Sequence, residues 1–312
     1  MKSSLNRGSS DLTGILIIVF IIVVVILSPK DGSGNPSGWS LSPGVGISGS
    51  GGLSGSSSYQ STSGTGDVSI GSGNARYSYQ SYEEYITLDN RSRNSIDITG
   101  WQLKNGKDKR PYYLGNTLQR FSADVATIPQ ATLVLSPSGY SIMQDVVLKS
   151  GERAIVTTGS VGNRYPYTIT SFKENICTSY IEALPEYAFN PPLTQSCPRP
   201  SNEPGIEALD SSCRNFIQGI PSCQTPKIGG KDSKGDDCPG CVNGKLVSGV
   251  CKAFIEEHFS YQGCLAYHSS DPNFSGRTWR IFLGRGWEMW AEDYESIELF
   301  DRLGQLVNYQ NY

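Results

Sequence analysis

All eight cysteines of this 312-residue chain fall between Cys177 and Cys264, and the stretches on either side carry none. An even set gathered in one window reads as a disulfide framework, which persists only in an oxidising compartment. Spacing leaves the pairing of Cys177, Cys197, Cys213, Cys223, Cys238, Cys241, Cys251 and Cys264 open, because eight cysteines allow about 105 connectivities. The fold therefore has to combine Cys-free flanks with a crosslinked segment between them.

The N-terminus fixes the setting. Ile15 to Leu27 is an unbroken run of Ile, Leu, Val and Phe. At roughly −0.3 to −0.6 kcal/mol per residue it contributes on the order of −4 to −8 kcal/mol toward bilayer insertion. The uncharged stretch 12–29 spans about 27 Å as a transmembrane helix, close to the hydrocarbon thickness of a membrane. Lys2 and Arg7 precede it, whereas Lys30 and Asp31 cancel beyond it. The positive-inside bias then places residues 1–11 in the cytoplasm and the rest outside. The run ends Ile26-Leu27-Ser28-Pro29, without a small-x-small cleavage site, so an uncleaved signal anchor is expected rather than a removed signal peptide. Residues 30–75 are mostly Gly and Ser and are expected to form a disordered, flexible stalk, since they offer too little apolar surface to offset ordering entropy. The expected location is the cell membrane, single-pass, with the body of the chain, 76–312, extracytoplasmic. A net charge of −3 does not favour a nucleic-acid partner held through phosphates.

Short strands dominate the first flank. Ile86 and Leu88 alternate with Tyr85, Thr87 and Asp89; Asn90 to Asn94 is turn material; Ile96 and Ile98 alternate again before Gly100-Trp101-Gln102-Leu103. Further candidates are Ala131 to Leu135, Tyr140 to Met143, Val146 to Leu148 and Arg153 to Thr157. Alternation returns at the C-terminus in Trp279 to Leu283, Ser296 to Phe300 and Gln305 to Tyr309, with Asp301-Arg-Leu-Gly304 as a turn. This spacing predicts a mainly β fold, an antiparallel β-sandwich or barrel. The Cys-rich middle is expected to carry two short helices. Ile206, Leu209, Cys213, Phe216, Ile217 and Ile220 share one helical face, and Cys251, Phe254, Ile255, His258 and Phe259 share another. Both contain Cys-x-x-Phe-Ile, which suggests a weak duplication.

Three motifs in order resemble lamin tail domains. Glu84-Tyr-Ile-Thr-Leu-Asp-Asn90 with Ile96-Asp-Ile-Thr-Gly-Trp-Gln-Leu103 is similar to that family's opening strands. The Leu148-x-x-Gly-Glu152 turn is similar to its middle, and Ser296 to Tyr309 to its closing hairpin. The resemblance implies an immunoglobulin-like β-sandwich interrupted by a Cys-rich insertion, residues 163–275. It implies no catalytic residues, and its bacterial members are typically exported or surface-attached.

Cys238-Pro-Gly-Cys241 is the sharpest local motif. Two structural cysteines, each paired elsewhere, are the expected reading. With Cys251, His258, Cys264 and His268 the motif offers an alternative zinc set, and by itself a dithiol redox pair. His268 lies one helical turn from Cys264, a conceivable nucleophile and base. Trp287, Trp290 and Tyr294 sit in a loop-like stretch and are candidates for a surface binding strip. The functional expectation is a membrane-anchored interaction or structural module, without a cofactor, held in the membrane by residues 12–29 and meeting an extracellular protein or glycan. The alternative is an exported enzyme, a hydrolase or thiol-disulfide exchanger, using the Cys/His-rich insertion.

Overall fold

The period-2 segments become strands because one face of each finds a place to bury. The computed structural model describes residues 66–107, 109–120, 122–161, 169–290 and 295–312. The expected N-terminus 1–11 and spanning segment 12–29 lie outside them. Among the described residues no helix is long and apolar enough to cross a membrane.

Strands β1 (Val68–Gly71), β2 (Tyr85–Asn90), β3 (Ile96–Asp97), β4 (Gln102–Asn105), β5 (Pro111–Leu114) and β6 (Thr117–Arg120) come first. Then follow β7 (Val125–Thr127), β8 (Ala131–Thr132), β9 (Met143–Gln144), β10 (Val147–Leu148), β11 (Arg153–Thr157) and β12 (Phe172–Asn175). Helices α1 (Ser179–Glu182), α2 (Ser211–Gln218), α3 (Gly249–His258) and α4 (Tyr261–His268) occupy the Cys-rich part, with the small hairpin β13 (Cys241–Val242) and β14 (Lys245–Leu246). The chain closes on β15 (Ser275–Phe282), β16 (Ser296–Phe300) and β17 (Leu306–Asn311).

Seven strands form one sheet in the order β1-β2-β11-β15-β12-β8-β9, and four form another in the order β17-β16-β4-β7. At the centre of the larger sheet Val156 faces Ile86 across an antiparallel pair and Ile281 across a parallel one. Ile86, Leu88, Ile98, Trp101, Val156, Ile281, Ile297 and Leu299 lie in one buried cluster, which draws on no described residue between 157 and 278. The two Cys-free flanks thus build a single core, and the fold is mainly β with few helices and four disulfides. The closing hairpin turns as its sequence predicts. Asp301 Oδ1 accepts from the Leu303 and Gln305 amides, both at 2.8 Å. Gly304 supplies the positive φ of 76° that an L side chain would resist.

Three expectations need correction. The stalk was expected to reach residue 75, but Val68–Gly71 is a strand paired along β2, and Val68 and Ala75 are fully buried. Backbone pairing needs little apolar surface, and a Cβ on Gly71 would stand 2.5 Å from Thr87 Oγ1, so a larger residue there would have to displace that hydroxyl. The division at residue 163 does not follow the sheet, because β12 lies between β15 and β8. Among the described residues the middle also carries four α-helices rather than two. The first expected helix breaks into a 3-10 turn (Ile206–Ala208) and α2, because Asp210 is extended and caps α2 through the Cys213 amide, 2.9 Å away.

Candidate binding site

β8 and β9 form the outer end of the larger sheet, and the loop between them, 133–142, folds on itself. The Ser136 amide donates to Ser141 Oγ at 3.0 Å and the Gly139 amide to Ser136 O at 3.0 Å. Leu135, only 1% exposed, plugs into a second buried cluster with Phe172, Ile181 and Tyr261. Its amide donates to the Tyr261 hydroxyl at 3.1 Å. The loop is therefore held by α4, an element of the Cys-rich segment. Between them opens a cleft of about 470 Å³ whose walls include Leu133, Val134, Pro137, Tyr140, Ile142 and Leu265. Tyr140 and Ile142 stand at its rim 89% and 88% exposed. Two large apolar side chains displayed beside an apolar cleft of this size are the usual makings of a binding site. Sequence reasoning missed it. Tyr140 to Met143 alternates like a strand, and only Met143 belongs to one.

β12 anchors that end of the molecule. Lys173 Nζ lies 2.7 Å from Glu152 Oε1, with both side chains buried, and sits over the Trp279 ring at 5.2 Å. Its neighbour Glu174 takes Arg280 Nε at 2.5 Å, while the other two guanidinium nitrogens donate to the Pro191 and Pro192 carbonyls. Successive residues of a strand point to opposite faces, so one strand delivers two paired charges.

The loop after β15 behaves differently from expectation. Trp290 is fully buried in the main core, so it is no part of a surface strip. Its amide and that of Met289 donate to Glu84 at 2.8 and 2.6 Å, and Thr158 adds a bond of 2.5 Å. Burial raises the Glu84 pKa, outweighing those three donors, which lower it. Trp287 alone remains outward, 55% exposed beneath Arg285, and Tyr294 lies outside the described residues.

Both histidines converge on one buried carboxylate. Glu203 Oε2 is 3.1 Å from His258 Nδ1 and 3.2 Å from His268 Nε2, and His268 Nδ1 meets Asp271 at 2.8 Å. Phe254 and Tyr267 stack on either side of the His258 ring, at 4.0 and 3.8 Å. Burial lowers the His268 pKa, but bonds to Asp271 and Glu203 outweigh it and the net direction is up. Burial, then Glu203, pushes the Tyr180 phenol up. The cluster fastens the 3-10 turn Pro200–Asn202 to α3 and α4 through its following residue, Glu203.

Every cysteine is bonded: Cys177–Cys264, Cys197–Cys223, Cys213–Cys251 and Cys238–Cys241. The two Cys-x-x-Phe-Ile helices are joined to each other, through Cys213 and Cys251. Cys264 is no free nucleophile, and His268 faces carboxylates instead. The zinc alternative loses its thiolates, and among the described residues no group of three or more His, Cys, Asp or Glu is placed to hold a metal ion. Cys238 and Cys241 were expected to pair elsewhere and pair together instead. Cys241 is buried as the first residue of the two-residue strand β13.

Compared with known proteins, the chain matches no family model and no curated relative.

Proposed function

We propose that this chain is a membrane-tethered, extracytoplasmic interaction module rather than an enzyme. It presents an immunoglobulin-like sandwich of the lamin tail kind, and the cleft beside Tyr140 and Ile142 docks an apolar side chain of an extracellular protein. The cleft with its exposed rim is the observation that carries this reading. Its apolar walls suit a protein segment better than a glycan, which needs converging polar groups. Four disulfides accord with an exported body. The family resemblance is supported by β2, β4, β16 and β17 falling on the motifs that suggested it. The test is photocrosslinking on intact cells with a benzophenone side chain in place of Tyr140. One discrete adduct is expected, lost on Ile142→Asp and not formed from Lys234, which is exposed in another loop. The same adducts from both positions, or none from position 140, would remove the cleft from the account.

A further inference from the structure

The hairpin β5–β6 is the part of the fold that burial does not explain. Among the described residues its strands pair only with each other, and every residue of β6 is exposed. Near its turn Tyr113, Leu114 and Leu118 are 73%, 70% and 50% exposed. A lone two-stranded hairpin is at best marginal in water, and an apolar end displayed on it calls for a partner.

The charges around it are one-sided. Residues 104–120 carry five cations, Lys104, Lys107, Lys109, Arg110 and Arg120, against one acid, Asp108, in a chain whose net charge is −3. Lys107 reaches Glu295, and Lys104 covers the Phe300 ring. The other three sit at the base of the hairpin, where Arg120 donates to the Lys109 carbonyl at 3.0 Å, Arg110 faces Ser296, Asn311 and Tyr312, and Lys109 and Arg110 each hold an interaction of their own. Each strand has four residues, so tip and base lie about 10 Å apart.

We propose that β5–β6 docks on an anionic lipid bilayer. Tyr113, Leu114 and Leu118 enter the boundary between headgroups and acyl chains, and Lys109, Arg110 and Arg120 meet the lipid phosphates. Apolar atoms at the turn with cations behind them match the layering of a bilayer surface, and the hairpin's length matches the depth of that boundary. The inference rests on the membrane-tethered reading in one respect: the anchor brings a bilayer within reach. An apolar anchor joined to a basic patch is the two-signal arrangement that gives stable attachment.

The full chain is reconstituted in vesicles of phosphatidylcholine alone or mixed with phosphatidylglycerol. Both contain a phosphatidylcholine with a diazirine in its acyl chain. After irradiation, labelled residues are mapped by mass spectrometry. Adducts are expected on residues 112–118 in the mixed vesicles. They should fall about fivefold or more without phosphatidylglycerol or in the Arg110→Gln/Arg120→Gln variant, since each cation at an anionic surface is worth about that factor. They should vanish in Tyr113→Ser/Leu114→Ser, whose exposed positions put no core packing at risk. Adducts on residues 12–29 without any on the hairpin overturn this proposal and leave the anchor standing. Labelling of the hairpin that ignores lipid charge also overturns it. If neither segment is labelled, the proposal and the anchor fall together.

Discussion

Trp287 and Trp290 stand three residues apart in one loop, and nothing in their immediate sequence separates them. What separates them is Glu84, whose carboxylate takes the Met289 and Trp290 amides and draws the loop in so that the second indole enters the core. Trp290→Ala should cost about 3–5 kcal/mol in urea unfolding, as for other buried aromatics. Trp287→Ala should stay within about 0.5 kcal/mol; equal costs would mean that the loop is not drawn in. Glu203 gathers two histidines in the same way. Because the His268 pKa is raised on folding, its contribution is complete below the ordinary imidazole value and fades as pH rises through the raised one. Stability measured against pH should therefore fall above about pH 6.5 more steeply in the wild type than in His268→Gln. Parallel curves would contradict the assigned pairing of His268 with Asp271 and Glu203.

Among the elements, those with one buried face were legible in the sequence. β2 and β16 alternate because they cover the core, and the Asp301 to Gly304 turn announced itself through its residue types. β12 reads Phe-Lys-Glu-Asn and shows no strand pattern, since its charges are paired by Glu152 and Arg280, distant in sequence. α4 was missed because its apolar residues make no stripe and it contains Gly263. That glycine is required, as a Cβ there would stand 2.1 Å from the Glu257 carbonyl oxygen. β5–β6 gave no signal because neither face is covered. Nor did spacing disclose the cleft, which exists only because α4 meets a loop from the far end of the sheet. The disulfides differ by the loops they close. Cys177–Cys264 spans 87 residues of sequence and Cys238–Cys241 only 3. Replacing the first pair by alanine should cost about 4–5 kcal/mol, and the second about 2. Chemical denaturation of the two double variants checks the order, and a larger loss from Cys238/Cys241 would reverse it.

At the scale of the whole molecule, the chain divides its labour between a core that needs no cysteine and a crosslinked segment that finishes the surface. The main core closes using only the flanks. The Cys-rich part contributes β12, Leu265 in the wall of the cleft and the buried Glu203 cluster. This arrangement makes sense for a body displayed outside the cell, and its sidedness is the claim on which the functional reading depends. Protease added to intact cells, with the released material sized and its disulfides counted, tests it most directly. Cleavage in the Gly/Ser segment should free a folded fragment containing residues 66–312 with all four disulfides intact, leaving a short membrane-held stub. A fragment that appears only after the cells are broken would place the body on the other side of the membrane and contradict the account.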